Sequence, residues 1–393
     1  MKITRIETFT VGAGWKNWLF VHVHTDSGLI GLGEGTLNGF IKTTEAAVHE
    51  LGHLAIGQDP TQISRLAKRM MDSVSLDGGH IHRTAVAAIE VACWDILGQS
   101  LNAPIWQLLG GRQRDTVLGY ANGWYRTERT PAHFVRAAEA VVAKGFHALK
   151  VDPFGTAQGF IDEENLQLSY DILAALRKKF PKLEILIDVH ARFTEADALR
   201  AARKLAPLGL YWWEEPTTRE REQPANAVAA QCPIRVATGE MYDTIGQFYT
   251  LAAGGNVNIF QPEPMSLGGI GPTFAVANLA LAHGSYIAPH QSGGPVATAV
   301  CLQLATCVPN FLIQEHFDPF NDPWTRDLVD WAPTLDKSNG HLSLPTAPGL
   351  GLKLNLDVVK AHPYDPKAYL NVHTEGWEKR LGADRKPAKS KKK

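Results

Sequence analysis

Over the opening stretch of the chain apolar and polar positions alternate, in "KITRIETFTV" and again in "NWLFVHVHTDSG". Such alternation predicts half-buried strands, and "SG" ahead of "LIGLGEG" predicts a hairpin. From Thr43 to Leu109 the apolar spacing changes to three and four, as in "TTEAAVHELGHLAIG" and "HRTAVAAIEVACWDILGQSL", which predicts helices.

After "APIWQLLGG" the pattern changes again. Eight short, nearly continuous apolar runs follow: "VLGYAN", "HALKVD", "EILIDVH", "LYWWEEP", "IRVATGE", "VNIFQPE", "SYIAPH" and "FLIQEH". Helical patterns such as "AHFVRAAEAVVAKG" and "ADALRAARKLAPLG" lie between most of them. Continuous apolar strands separated by helices predict a parallel sheet covered on both faces, and eight such units predict a closed (β/α)8 barrel. An open doubly wound sheet is the alternative, but no Gly-rich phosphate turn follows the first strand. The closing stretch, rich in Pro, Gly and Asp, is expected to pack back on the N-terminal section.

The chain of 393 residues exceeds one ordinary domain, and its 45% hydrophobic and 20% charged content fits a globular protein with a large core. A net charge of -1 gives no reason to expect nucleic acid or an anionic membrane as partner. Cys93, Cys232, Cys301 and Cys307 show no CxxC spacing and sit in or beside apolar runs, which reads as buried free thiols in a reducing compartment. No signal-peptide run opens the chain and no segment approaches a membrane span, so a cytoplasmic location is expected. The basic tail "DRKPAKSKKK" reads as a solvated, disordered end.

The chemistry gathers where the runs end. "EILIDVH" drives into Asp188 and then His190, two positions apart and therefore on one face of a strand. The other runs end in Lys150 and Asp152, Glu214 and Glu215, Glu240, Glu263, His290 and Glu315. Barrel enzymes build their sites at these C-terminal strand ends. Converging carboxylates repel and raise one another's pKa unless a cation lies among them. Oxygen ligands from Asp188, Glu214 and Glu240 suit a hard divalent ion, Mg2+. Zinc fits less well, because Cys is absent from the rim and His lacks ligand spacing.

In this order the motifs "K-x-D" at Lys150, "DVH" at Asp188, "EEP" at Glu214, "GE" at Glu240, "QPE…GG" at Glu263, "APH" at His290 and "QE" at Glu315 resemble the enolase superfamily. The resemblance is to its mandelate racemase/muconate lactonizing enzyme family, and within that to galactonate- and gluconate-type acid-sugar dehydratases. It extends through "GLIGLGEG", "CWDILGQSLNAPIWQLLGG" and "APGLGLKLN". The fold it implies is a modified (β/α)7β TIM barrel with an α+β capping domain formed by the N-terminal region and the C-terminal segment. The expected boundaries are 1–112 for the cap, 113–320 for the barrel, and 321–393 for the segment completing the cap.

The activity implied by the resemblance is Mg2+-dependent dehydration of a sugar acid. The proton α to the carboxylate is removed, a metal-stabilised enediolate forms, and loss of the 3-hydroxyl gives a 2-keto-3-deoxy acid. His290 is then the base, Glu263 the acid that orients it, His190 the general acid, Lys150 the partner of the substrate carboxylate, and Glu315 a hydrogen-bonding group for it. Asp188, Glu214 and Glu240 are the metal ligands. The family's usual residue at position 263 is Asp, one methylene shorter. At position 152 racemases carry a second lysine base, and here the residue is Asp152.

Asp152, Arg192, Asn38, Trp124 and His82 are expected to contact substrate, with cap loops near Trp15–Trp18 and Leu37–Phe40. An aldarate would need a cation far from the metal. Lys16, Lys42, Arg83, Arg126 and Arg129 are the candidates, and Arg83 and Arg126 read as surface positions, which favours an aldonate. The expected partner is this small molecule, with no nucleic acid and no membrane, in a homo-oligomer. A racemase, epimerase or cycloisomerase is the alternative, followed by a barrel that binds a sugar acid without turnover.

Overall fold

The computed structural model describes residues 1–218 and 223–379; the basic tail lies outside the described residues. The chain opens with an antiparallel sheet, β1 (Ile3–Gly12), β2 (Asn17–Thr25) and β3 (Ile30–Glu34), in that spatial order. Helices α1 (Ile41–Ala55), α2 (Ile63–Met71), α3 (Gly79–Ser100) and α4 (Ile105–Leu108) follow. The "GLIGLGEG" stretch is glycine-rich for a packing reason. A Cβ at Gly31 or Gly33 would collide with the backbone of Ala92 or Ala88 on α3. The strand and helix thus approach closer than any side chain allows.

Eight parallel strands make the barrel: β4 (Thr116–Ala121), β5 (Ala148–Val151), β6 (Glu184–Asp188), β7 (Trp212–Glu214), β8 (Val236–Thr238), β9 (Ile259–Phe260), β10 (Tyr286–Ile287) and β11 (Gln314–His316). They coincide with the eight apolar runs. β11 pairs with β4, and Leu312 N donates to Ile287 O at 2.9 Å, so the ring closes between β10 and β11. The connecting helices are α5 (Pro131–Lys144), α6 (Glu163–Lys179), α7 (Glu195–Leu205), α8 (Gln223–Ala229), α9 (Ile245–Gly254), α10 (Pro264–Leu267) with α11 (Ile270–Ala282), and α12 (Pro295–Cys307). After β11 the chain turns into 3-10 segments, Asp318–Phe320 and Pro323–Leu328. The barrel is therefore (β/α)7β, as the resemblance implied, and the eighth helix suggested by the bare periodicity is replaced by those turns.

Inside the barrel one apolar layer is formed by Tyr120, Ala148, Leu186, Trp212, Ala237, Ile259, Ala288 and Ile313, one from each strand or its immediate approach. Two positions further along most strands, on the same face, stand Asn122, Lys150, Asp188, Glu214, Gln261, His290 and Glu315. Strand periodicity alone thus stacks a polar layer on an apolar plug.

The C-terminal segment does more than complete the cap. Hairpin strands β12 (Leu335–Asp336) and β13 (His341–Ser343) extend the barrel sheet, β13 pairing with the first half of β4. Past α13 (Leu356–Ala361) the chain returns to the cap, where Gly12 N donates to His362 O and Asn17 Nδ2 to Asp365 O and Ala368 O. Buried carboxylates hold these parts together. Glu34 accepts from Gly294 N and Ala297 N at the start of α12, Glu90 from Ile270 N and Gly271 N at the start of α11, and Asp95 from Leu32 N and Leu350 N. Acceptors at helix N-termini satisfy donors that have no partner within the helix. All four cysteines are free, three of them buried. Among the described residues no helix is long and apolar enough to cross a membrane.

Candidate active site

A cavity of about 850 Å3 lies between the cap and the C-terminal ends of the barrel strands. The wall on the barrel side includes Lys150, Asp152, Asp188, His190, Glu240, Glu263 and His290; Asn38 and Lys16 line it from the cap. Glu214 and Glu315 are fully buried beside this wall and reach it through Lys150.

Lys150 Nζ is enclosed by three carboxylates, at 2.5 Å from Glu214, 3.0 Å from Glu315 and 3.2 Å from Asp188. Burial alone would lower its pKa, but Glu214 and Glu315 outweigh that and hold it well above the ordinary value. Asp188 is likewise kept low by His190 and Lys150 against the push of burial. Glu214 moves the other way, raised by burial and then by Asp188, and its second oxygen accepts from Trp212 Nε1 at 2.8 Å. For Glu315, Lys150 and His290 overcome burial and lower the pKa, while Asn122 Nδ2 and Gln291 N donate to its two oxygens.

Oxygens of Asp188, Glu214 and Glu240 all lie within 4.8 Å of one another. Glu240 Oε2 is buried without a hydrogen-bond partner. Its near neighbour is His290 Nε2 at 3.2 Å, and a buried carboxylate oxygen without a hydrogen bond beside two further carboxylates is unfavourable unless a cation is shared among them. Three hard oxygen donors therefore fit a divalent ion of the Mg2+ type. Gly239, in the left-handed region at φ 135°, turns the chain so that Glu240 is aimed at this point. Glu215 accepts from Gly239 N at 2.6 Å and Thr238 Oγ1 at 2.9 Å and secures that turn; burial, then Glu240, pushes it up to about 7.

Two histidines flank the triad, each backed by a carboxylate. His290, after β10, has Nδ1 2.8 Å from Glu263 Oε2 and Nε2 3.2 Å from Glu240 Oε2. The longer Glu263 side chain thus reaches its histidine. Burial would depress His290, but Glu240, Glu315 and Glu263 lift it to about 10. A cation held by the triad would cancel part of that field and return the imidazole toward basic function near neutrality. His190, after β6, has Nδ1 2.7 Å from Asp152 Oδ2 and Nε2 3.4 Å from Asp188 Oδ2. Strands β6 and β10 are four apart in a ring of eight, so the two imidazoles approach from facing sides.

Three residues expected to contact substrate lie off the cavity wall. Arg192 is fully enclosed and absent from the cavity wall. Trp124 donates its indole N–H to Lys150 O at 2.8 Å beneath the strand ends, and His82 turns Nε2 toward Met70 O at 3.0 Å. Arg83 is not a surface position either; its guanidinium bridges Asp77 and Asp243. Arg126 donates to Phe320 O, and Arg129 to Pro153 O and Asn165. Asn122, Trp377 and Glu34 are additions that the sequence pattern does not mark. Asn122 closes "VLGYAN" but carries no ionisable group to mark that strand end; Glu34 and Trp377 lie far off in sequence.

The N-terminal domain of mandelate racemase/muconate lactonizing enzymes matches residues 6–110, and the enolase C-terminal domain-like family matches residues 133–358. The D-galactonate dehydratase of Klebsiella pneumoniae (strain 342) is 33% identical over 364 residues, covering 91% of this chain and 94% of that protein. That of Cronobacter sakazakii (strain ATCC BAA-894) is 32% identical, covering 92% and 94%. The crystal structure of a mandelate racemase/muconate lactonizing enzyme from Jannaschia sp. CCS1 superposes with a TM-score of 0.86 at 31% identity, over 93% of this chain and 98% of that one. Barrel, cap and rim define an enolase-superfamily protein. The chain belongs to the mandelate racemase/muconate lactonizing enzyme family of that superfamily.

Proposed function

We propose that this chain is a Mg2+-dependent dehydratase that converts a sugar acid into a 2-keto-3-deoxy acid. The observation that carries this is the pair of facing histidines, His190 and His290, each with its own carboxylate partner and each turning Nε2 toward the acid triad. Dehydration needs one group to take a proton and another to give one. A racemase of this family would place a second lysine base at position 152, where Asp152 stands.

In this reading Asp188, Glu214 and Glu240 hold the cation, and Lys150 adds a fixed positive charge beside the substrate carboxylate. The bound cation supplies the charge that stabilises the enediolate developing on that carboxylate. His290 Nε2 removes the C2 proton, and the electron pair moves onto the carboxylate. When the pair returns, the C3–oxygen bond breaks and His190 Nε2–H protonates the departing hydroxyl, which leaves as water. The resulting enol ketonises to the 2-keto-3-deoxy acid.

An aldonate is the favoured substrate. The candidate arginines are held by other groups, Lys42 pairs with Glu45 at 2.8 Å, and the curated relatives are named for D-galactonate, a mono-acid. Lys16 is the one lysine besides Lys150 on the cavity wall among the described residues; its Nζ sits 4.0 Å from the Trp15 ring centroid. The test is kcat/KM for matched aldonates, D-galactonate included, and aldarates, with wild type and Lys16→Met. Preference for the mono-acid in wild type is expected. A preference for the diacid that Lys16→Met removes would overturn the aldonate assignment and leave the dehydratase chemistry standing.

A further inference from the structure

The guanidinium of Arg192 is committed within the protein. Nε donates to Val189 O at 2.9 Å, one Nη to Gly155 O and the other to Asp152 Oδ2. Asp152 is committed as well. Oδ1 accepts from Phe154 N at 2.9 Å, while Oδ2 is shared between Arg192 and His190 Nδ1. His190 and Ala191 both lie in the left-handed region, at φ 52° and 54°, and this turn brings Arg192 back toward Asp152 behind the histidine. Consecutive non-glycine residues in that region carry strain that the surroundings must hold in place. Trp377 stands edge-on to His190 with ring centroids 6.0 Å apart, and its Nε1 donates to Gly155 O, the carbonyl that also accepts from Arg192.

We propose that Asp152 and Arg192 are positioning residues that act through His190; Asp152 borders the cavity, but its side chain is fully enclosed and turned to His190 and Arg192. Asp152 accepts from Nδ1–H in both protonation states of the ring and so fixes the ring plane and makes Nε2, facing the reacting centre, the nitrogen that gives up its proton. Arg192 compensates the buried charge of Asp152 and selects the oxygen presented to the histidine. The catalytic consequence rests on the dehydratase reading; the tautomer of His190 does not.

Asp152→Asn tests the claim, because both carboxylate oxygens accept and an amide leaves one donor facing its NH2. Arg192→Met and Arg192→Lys accompany it, each made in wild type and in His190→Asn. Turnover of sugar acids, α-proton exchange in deuterium oxide and the 15N shifts of the His190 ring are measured on the full chain. Expected for Asp152→Asn is a loss of about 10- to 100-fold in kcat for dehydration, with KM and α-proton exchange nearly unchanged. No further loss is expected in the His190→Asn background, and Arg192→Lys should recover part of what Arg192→Met loses. The ring should be protonated at Nδ1 in wild type and lose that preference in Asp152→Asn. A rise in KM with kcat preserved would identify a substrate contact and overturn the proposal, as would losses that add to that of His190→Asn. If no sugar acid yields keto acid, the function fails, while the ring shifts still decide the positioning claim.

Discussion

Glu263 Oε2 lies 2.8 Å from His290 Nδ1, which leaves Nε2 of the same ring 3.2 Å from Glu240. One carboxylate orients the imidazole and another stands where its second nitrogen points. The other Glu263 oxygen accepts from Met265 N at 3.1 Å, so the short helix α10 holds the acid in place.

Weakening this contact should slow proton abstraction and leave cation binding alone. Glu263→Gln is predicted to lower the rate of α-proton exchange by about 10- to 100-fold. Glu263→Asp, one methylene shorter, should show a smaller loss. Exchange rates in deuterium oxide, alongside Mg2+ titrations, check this. An unchanged exchange rate in Glu263→Gln would remove the acid from its role.

Crowding of Asp188, Glu214 and Glu240, with no hydrogen bond to Glu240 Oε2, predicts that cation binding stabilises the fold. Chelation should abolish turnover and lower the melting temperature by a few degrees, about what 1–2 kcal/mol gives in a chain of this size. Mg2+ should restore both, and Glu240→Gln should need at least about tenfold more Mg2+ for the same effect. Calorimetry across a Mg2+ titration reads this directly. A melting temperature indifferent to Mg2+ would contradict the assignment.

Two buried carboxylates, Glu90 linking α3 to α11 and Asp95 linking β3 to the C-terminal segment at Leu350, make a separate prediction about pH. Burial pushes Glu90 up to about 7 and Asp95 up to about 6, from ordinary values of 4.5 and 3.8. A carboxyl raised in the folded state binds its proton more tightly there. Its stabilisation is complete below the unfolded value and is lost as pH rises through the folded one. Stability is therefore predicted to decline from about pH 4 to pH 7 through these two groups, by an amount on the order of 3 kcal/mol for Glu90 alone. In Glu90→Gln, where nothing titrates, the decline should be shallower. Melting temperatures of the two proteins across that range test it, and a wild-type advantage that grew with pH would refute it.

Much of this was legible in the sequence because strand periodicity does the work. The eight apolar runs are the eight barrel strands, and Lys150, Asp188, Glu214, His290 and Glu315 stand one pleat beyond the apolar layer. The dyads were partly legible: His190 and His290 ended their runs, but the reach of Glu263 depends on distances that no spacing encodes. The directions of Arg192 and Trp124 were not legible, because sequence position does not give side-chain direction. After the left-handed turn at His190 and Ala191, Arg192 runs inward. Glu34 was invisible for another reason. Its partners, Gly294 and Ala297, lie 260 and 263 residues away, and only the closed fold brings a cap strand onto a barrel helix.

The division of labour between the two histidines is the central claim, and proton exchange read together with product tests it most directly. Wild type, His190→Asn and His290→Asn are incubated with Mg2+ and a panel of sugar acids in deuterium oxide, and 1H NMR follows both the C2 proton and 2-keto-3-deoxy product. Wild type is predicted to form product, His290→Asn to show neither exchange nor product, and His190→Asn to keep exchanging the C2 proton while product falls by about 100-fold or more. Mg2+ affinity should be nearly unchanged in His290→Asn. Inversion at C2 without any keto acid in wild type, or exchange that survives in His290→Asn, would contradict the account.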